Sequence, residues 1–146
     1  MQEGVSHAKL ELDSTERFVS LRRPLGVSSF GINLMLLEPG QRGRIHRHEK
    51  QEEVYLVLEG VLSLVIDGGE ERDLGVGEIV RVAPGVRRQL INRGPGRVAI
   101  LALGGAGEHA GRDGVAYESW EATEGAPPQK IPLPEDLPEG ERRGPT

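Results

Sequence analysis

Three side chains within eight residues, His46, His48 and Glu53, are of types suited to holding a divalent cation. In an extended strand, side chains two apart point the same way, so the two imidazoles of His46-Arg47-His48 can converge on one point. A short polar run, Glu49 to Glu52, reads as a turn, and Glu53 then opens the apolar stretch Val54 to Leu58. Two neutral imidazoles and a carboxylate from adjacent strands suit Zn, Fe, Mn or Ni. The chain has no cysteine, so a bound metal must rely on histidine and carboxylate. Tyr55 shares the parity of Glu53 and is a candidate to hydrogen-bond a ligand; core filling with a tethered hydroxyl is the plainer expectation.

The surrounding spacing carries more information than the triplet itself. Gly40, five residues, His46-x-His48, four residues, Glu53, six residues and Gly60 match the first motif of the cupins at every fixed position, and the stretch resembles that family. The resemblance implies an all-β fold, a double-stranded β-helix or jelly-roll barrel, with a metal or ligand site in its mouth. It also implies a homodimer formed through the sheets. It does not imply one reaction, because cupins include dioxygenases, isomerases, epimerases, lyases, storage proteins and sensor domains, and function has to be argued from the site.

A second stretch, Gly77 to Asn92, resembles the second cupin motif, with Gly77, Gly85 and Asn92 on their positions. It departs at two places: Ala83 holds the proline position, and Arg88 holds the position of the family's third metal-binding histidine. A guanidinium stays protonated and repels a dication. Arg88 must therefore lean towards an anion. If it pairs with Glu53, its charge replaces the metal's and the site is metal-free; alternatively its planar fork holds a substrate carboxylate or phosphate. A solvated place at the rim is the third option.

The elements that position these residues read as short strands with turn signals between them. Arg17 to Leu21 and Ser29 to Leu37 precede the histidines; Val61 to Ile66 and Glu70 to Leu74 flank Asp67-Gly68-Gly69, a hairpin signal. Val98 to Leu103 is a last core strand. Val54, Leu56 and Leu58, on the face opposite Glu53, are also apolar, which implies cover on that side as well. Arg42 and Arg44 lie just before the histidines and are expected to face solvent. Three segments result: an arm with a first strand (1–28), the barrel (29–107) and an acidic, proline-rich tail (108–146). Six of the ten prolines fall in the tail, which excludes a regular helix or central strand there. Ile131, Leu133 and Leu137 are its candidate anchors, a helical turn is expected around Trp120, and the last residues are expected to lack fixed structure. His7 and His109 lie outside any motif and read as surface histidines; Glu52 points away from Glu53 and reads as solvated.

Net charge is −5, with residues 1–103 balanced and the imbalance in the tail, which argues against a nucleic-acid partner. No apolar run approaches the roughly 20 residues of a membrane span. The polar start Met1-Gln2-Glu3-Gly4 shows no signal peptide, so a cytoplasmic protein is expected. Two functional readings follow. The first is a metal-dependent oxygenase or isomerase/lyase acting on a small anionic organic molecule. The second is a non-catalytic module that binds or senses a small ligand without metal.

Overall fold

The structure, a computed structural model, describes residues 3–105 and 113–144. Ten strands form two five-stranded antiparallel sheets. The strands are β1 (Phe18–Ser20), β2 (Gly31–Leu37), β3 (Ile45–His48), β4 (Glu52–Glu59), β5 (Leu62–Ile66), β6 (Glu70–Leu74), β7 (Ile79–Val82), β8 (Arg88–Ile91), β9 (Val98–Gly105) and β10 (Gly114–Tyr117). One sheet has the order β1-β2-β9-β4-β7 and the other β10-β3-β8-β5-β6. Their inner faces interdigitate: Tyr55, Val57, Leu62, Leu64, Leu90 and Ile100 are all at most 1% exposed. This is the double-stranded β-helix that the resemblance implies. Among the described residues, no helix is long and apolar enough to cross a membrane.

Turn chemistry sets the register. In the three-residue loop between Ile66 and Glu70, Asp67 and Gly68 both adopt positive φ, 51° and 76°, and the Gly69 N–H closes the turn on the Ile66 carbonyl. Gly60 has φ 76°, and a Cβ there would collide with the Arg97 carbonyl oxygen, so only glycine lets β4 turn into β5 at this point.

Both flanking segments are more tightly integrated than the sequence suggests. A single helical turn, α1 (Arg22–Leu25), follows β1. Leu10, Leu12, Leu21 and Leu25 pack with Leu34, Leu36 and Leu58 on the outer face of the first sheet. Part of the cover for the second apolar face of β4 is therefore the chain's own N-terminal arm. The segment after residue 112 contributes β10 to the edge of the second sheet, then wraps that sheet's outer face as a strap. Its prolines lie beyond β10, and an edge strand of four residues satisfies the constraint they impose. Around Trp120 the chain forms turns and bends in place of a helical turn; single 3-10 turns occur at Pro128–Lys130 and Glu139–Glu141. His109 lies outside the described residues.

Ile131 and Leu137 are buried at 9% and 2% exposure, whereas Leu133 stays exposed. Leu137 packs with Val65, Ile91 and Trp120 on the outer face, and its backbone N–H donates to the Gly40 carbonyl at 2.7 Å. Arg42 and Arg44 do point outward, but they do not face open solvent. Their Nε atoms donate to the carbonyls of Glu135 and Ile131 at 2.8 and 2.6 Å. Leu137→Ala is expected to lower unfolding free energy by about 2–3 kcal/mol, measured by urea titration, and to speed protease cleavage within the strap. An unchanged midpoint would show that the strap contributes no packing energy.

Candidate metal centre

β3 and β4 carry the three donors, and small residues border them on the inner face. His48 is paired across the sheet with Gly114 and His46 with Ala116, while Glu53 lies opposite Gly104. On their other sides His46 is paired with Arg88 and Glu53 with Val82. The three side chains keep 17%, 18% and 14% exposure, so a small molecule can reach them. One ligand atom from each lies within 4.8 Å of the other two. Glu53 Oε1 is 3.8 Å from His46 Nε2 and 3.5 Å from His48 Nε2.

Hydrogen bonds behind the imidazoles determine what faces Glu53. His46 Nδ1 lies 3.0 Å from the Arg44 carbonyl oxygen, and His48 Nδ1 lies 2.7 Å from Asp113 Oδ1. A carbonyl and a carboxylate only accept, so each Nδ1 must carry the hydrogen. In the neutral ring, Nε2 then presents a lone pair towards the carboxylate. Lone pairs facing a carboxylate repel it unless a cation, a metal ion or a proton, lies between them. The 3.5 and 3.8 Å separations are long for hydrogen bonds. They are close to the roughly 3.0–3.4 Å expected between donors that share one metal at bonds of about 2.1 Å. The donor set, its orientation and its backing hydrogen bonds therefore fit a divalent cation.

The charges at the site point the same way. Burial alone would raise the Glu53 carboxyl, but interactions with His46 and His48 outweigh it and hold the group well below the usual carboxylate range. Burial alone would lower His48; Glu53 and Asp113 outweigh it and raise the imidazole above its usual value. The space between these groups favours positive charge.

Arg88 lies directly behind Glu53. The register pairs it with His46 on β3 and Ile66 on β5, and it is 0% exposed. One terminal nitrogen donates to Glu53 Oε1 at 2.8 Å, Nε donates to the Tyr55 hydroxyl at 3.2 Å, and the other terminal nitrogen donates to the Val86 carbonyl at 2.9 Å. Of the placements open to Arg88 in the sequence, the structure has the pair with Glu53. Tyr55, also 0% exposed, donates its hydroxyl hydrogen to the same Glu53 oxygen. Burial, then the nearby Glu53 charge, pushes the phenol well above its usual range, so it stays a neutral donor.

Asp113 has no signal in the sequence, because it lies 65 residues from His48 in a segment that reads as tail. Asn92 is a bracket: its amide nitrogen donates to the carbonyls of Leu37 and Gly96 at 2.8 and 2.9 Å, and its side-chain oxygen accepts from Gly94. Glu52 is exposed and pairs with Arg81, and His7 is exposed.

Two sheets closed around an inner face that carries two histidines and a glutamate define a double-stranded β-helix with a potential metal centre. The chain belongs to the cupin superfamily: the cupin-domain family model matches residues 33–104. Solved structures agree. A cupin protein from Bacteroides fragilis is similar at 22% identity over 72% of this chain and 86% of its own, with a TM-score of 0.63. A sugar phosphate isomerase of the cupin superfamily from Silicibacter pomeroyi is similar at 27% identity over 87% of this chain and 97% of its own, with a TM-score of 0.62. A Cupin 2 conserved barrel domain protein from Salinispora arenicola is similar at 26% identity over 66% and 81% of the two chains, with a TM-score of 0.55. No curated protein matches the sequence.

Proposed function

We propose that this protein is a divalent-metal-dependent cupin acting on a small anionic organic molecule, by isomerase/lyase or oxygenase chemistry. The observation that carries this reading is the shared orientation of the imidazoles: both Nδ1 atoms are committed to acceptors, and both Nε2 lone pairs face one carboxylate. His46, His48 and Glu53 would hold the ion, which when bound supplies a Lewis acid.

Arg88 and Tyr55, which the sequence suggests as ligand contacts, act in this reading through Glu53. They fix its orientation, and Arg88 cancels its charge. With Glu53 neutralised and both histidines uncharged, the ion's charge is left to attract an anion; Asp113 lies one layer further out, engaged with the His48 N–H. The similarity to the Silicibacter pomeroyi isomerase makes sugar phosphates the first substrates to try.

One observation favours the metal-free binding module instead. Arg88 and Tyr55 together occupy both lone-pair directions of Glu53 Oε1, so the guanidinium already supplies that oxygen with a cation. Elemental analysis of untagged protein beside His46→Ala separates the two readings. Near-stoichiometric metal in the wild type, reduced at least about tenfold in His46→Ala, is the expected result. A wild type without metal that still binds sugar phosphates would transfer the proposal to the binding module.

The assembly we propose is a homodimer in the cytoplasm. The support is the outer face of the first sheet, where Phe30, Val54 and Leu103 line an open groove and Ile79 is 65% exposed. Sedimentation of the wild type beside Ile79→Lys tests it.

A further inference from the structure

We propose that Asp113 is the positioning residue of the metal centre: by accepting the His48 Nδ1 hydrogen while pinning the turn between β3 and β4, it sets the geometry of both donor strands. The inference rests on the metal reading given above and adds to it a component from outside both sequence motifs.

Four donors converge on this one carboxylate. Oδ1 accepts from His48 Nδ1 at 2.7 Å and from Gln51 Nε2 at 2.8 Å; Oδ2 accepts from the backbone N–H groups of Lys50 and Gln51 at 2.9 and 2.8 Å. The Asp113 carbonyl accepts from Glu49 N–H at 3.1 Å. The side chain is only 8% exposed, so these bonds are shielded from competing water. Residues 49–51 join the strand bearing His46 and His48 to the strand bearing Glu53, so one group governs the spacing of all three donors.

The strand that follows Asp113 reinforces this arrangement. β3 has one register pair with β8, His46 with Arg88, but four with β10. The histidine strand is thus held at its edge chiefly by the segment that Asp113 begins. Oδ2 takes both backbone N–H groups of the turn, whereas Oδ1 is shared between the Gln51 side chain and the imidazole.

Asp113→Asn exposes the difference. An amide has one accepting and one donating end. The two backbone N–H groups of the turn can only donate and so demand the oxygen. The NH2 end then faces His48 and Gln51. His48 can accept from it only by moving its hydrogen from Nδ1 to Nε2. That tautomer has no lone pair at Nε2 for a metal.

The test uses the full chain. Nitrogen-15 spectra of histidine-labelled, chelator-treated protein, recorded at a pH where the imidazoles are neutral, are expected to show His48 protonated at Nδ1 in the wild type and at Nε2 in Asp113→Asn. Zn2+ affinity, read by competition with a chromophoric chelator, is expected to fall about 10–100-fold in Asp113→Asn and to stay within about twofold in Gln51→Ala, which removes a donor to Asp113 without touching His48. An Nε2–H tautomer in the wild type overturns the proposal, even if Asp113→Asn fails to fold. So does unchanged Zn2+ affinity in Asp113→Asn, or an equal loss in Gln51→Ala. A wild type that binds no Zn2+ defeats the metal reading alone, and the tautomer comparison then decides the role of Asp113.

Discussion

Replacing Arg88 by histidine is expected to raise affinity for a divalent cation at least about a hundredfold. A guanidinium about 5 Å from a dication costs about 7 kcal/mol of repulsion at an effective dielectric of about 20, and a hundredfold gain needs about 2.7 kcal/mol. The margin leaves room for the Glu53 charge that Arg88 ceases to neutralise. Arg88→Met separates charge from ligation, since it removes the cation without adding a donor. Without metal it leaves the Glu53 carboxylate without its cationic partner, and a loss of about 3–5 kcal/mol is expected. Saturating Zn2+ should restore much of that loss. Urea titrations with and without Zn2+ measure both effects. If metal-free Arg88→Met proved as stable as the wild type, the Arg88–Glu53 pair would have no structural role.

The second large effect concerns the other half of the pair. Glu53→Gln keeps the shape but leaves a fully buried guanidinium facing a neutral amide, and about 3–5 kcal/mol should be lost at neutral pH. Two groups at this centre, Glu53 and His48, contribute to the pH dependence of the metal-free wild type. Glu53 is depressed in the folded state, so its contribution is present above its ordinary value of 4.5 and is lost as pH falls through the folded value. His48 is raised, so its contribution is complete below its ordinary value of 6.5 and is lost as pH rises through the folded value. These two contributions are therefore both complete between 4.5 and 6.5 and fall away on either side. Glu53→Gln should lose the Glu53 share of the acid limb and keep the share from Asp113, whose carboxyl burial alone would raise but bonds from Lys50, His48 and Gln51 hold below its usual value. It should also flatten the alkaline limb, because Glu53 is the largest influence raising His48. Chelator-treated protein, denatured in urea at a series of pH values, shows whether both limbs depend on residue 53.

The convergence of His46, His48 and Glu53 was legible because it depends only on the two-residue period of a strand and on a short turn between strands. The hairpin at Asp67-Gly68 and the anchors Ile131 and Leu137 were legible for the same kind of local reason. Asp113 was not, since its partner is remote and the four residues of β10, Gly114 to Tyr117, are too short a run to show a period. The sequence left Arg88 between a rim, an anion and Glu53, because depth in a barrel is a property of the sheet and not of the residue. Arg42 and Arg44, just before β3, were expected to face solvent, and the strap that receives them could not be read from an acidic, proline-rich composition. Leu10 and Leu12 likewise carry no period that marks them as cover for Leu34 and Leu36.

The pairing of β3 with β10 has a consequence for biosynthesis. The ribosome makes His48 and reaches Asp113 only 65 residues later. At about 5–20 residues per second, that interval is roughly 3–13 s. Throughout it the histidine strand has an open edge, the kind of template on which nascent chains pair wrongly. The arrangement of both histidines described here is completed only after translation has passed the barrel.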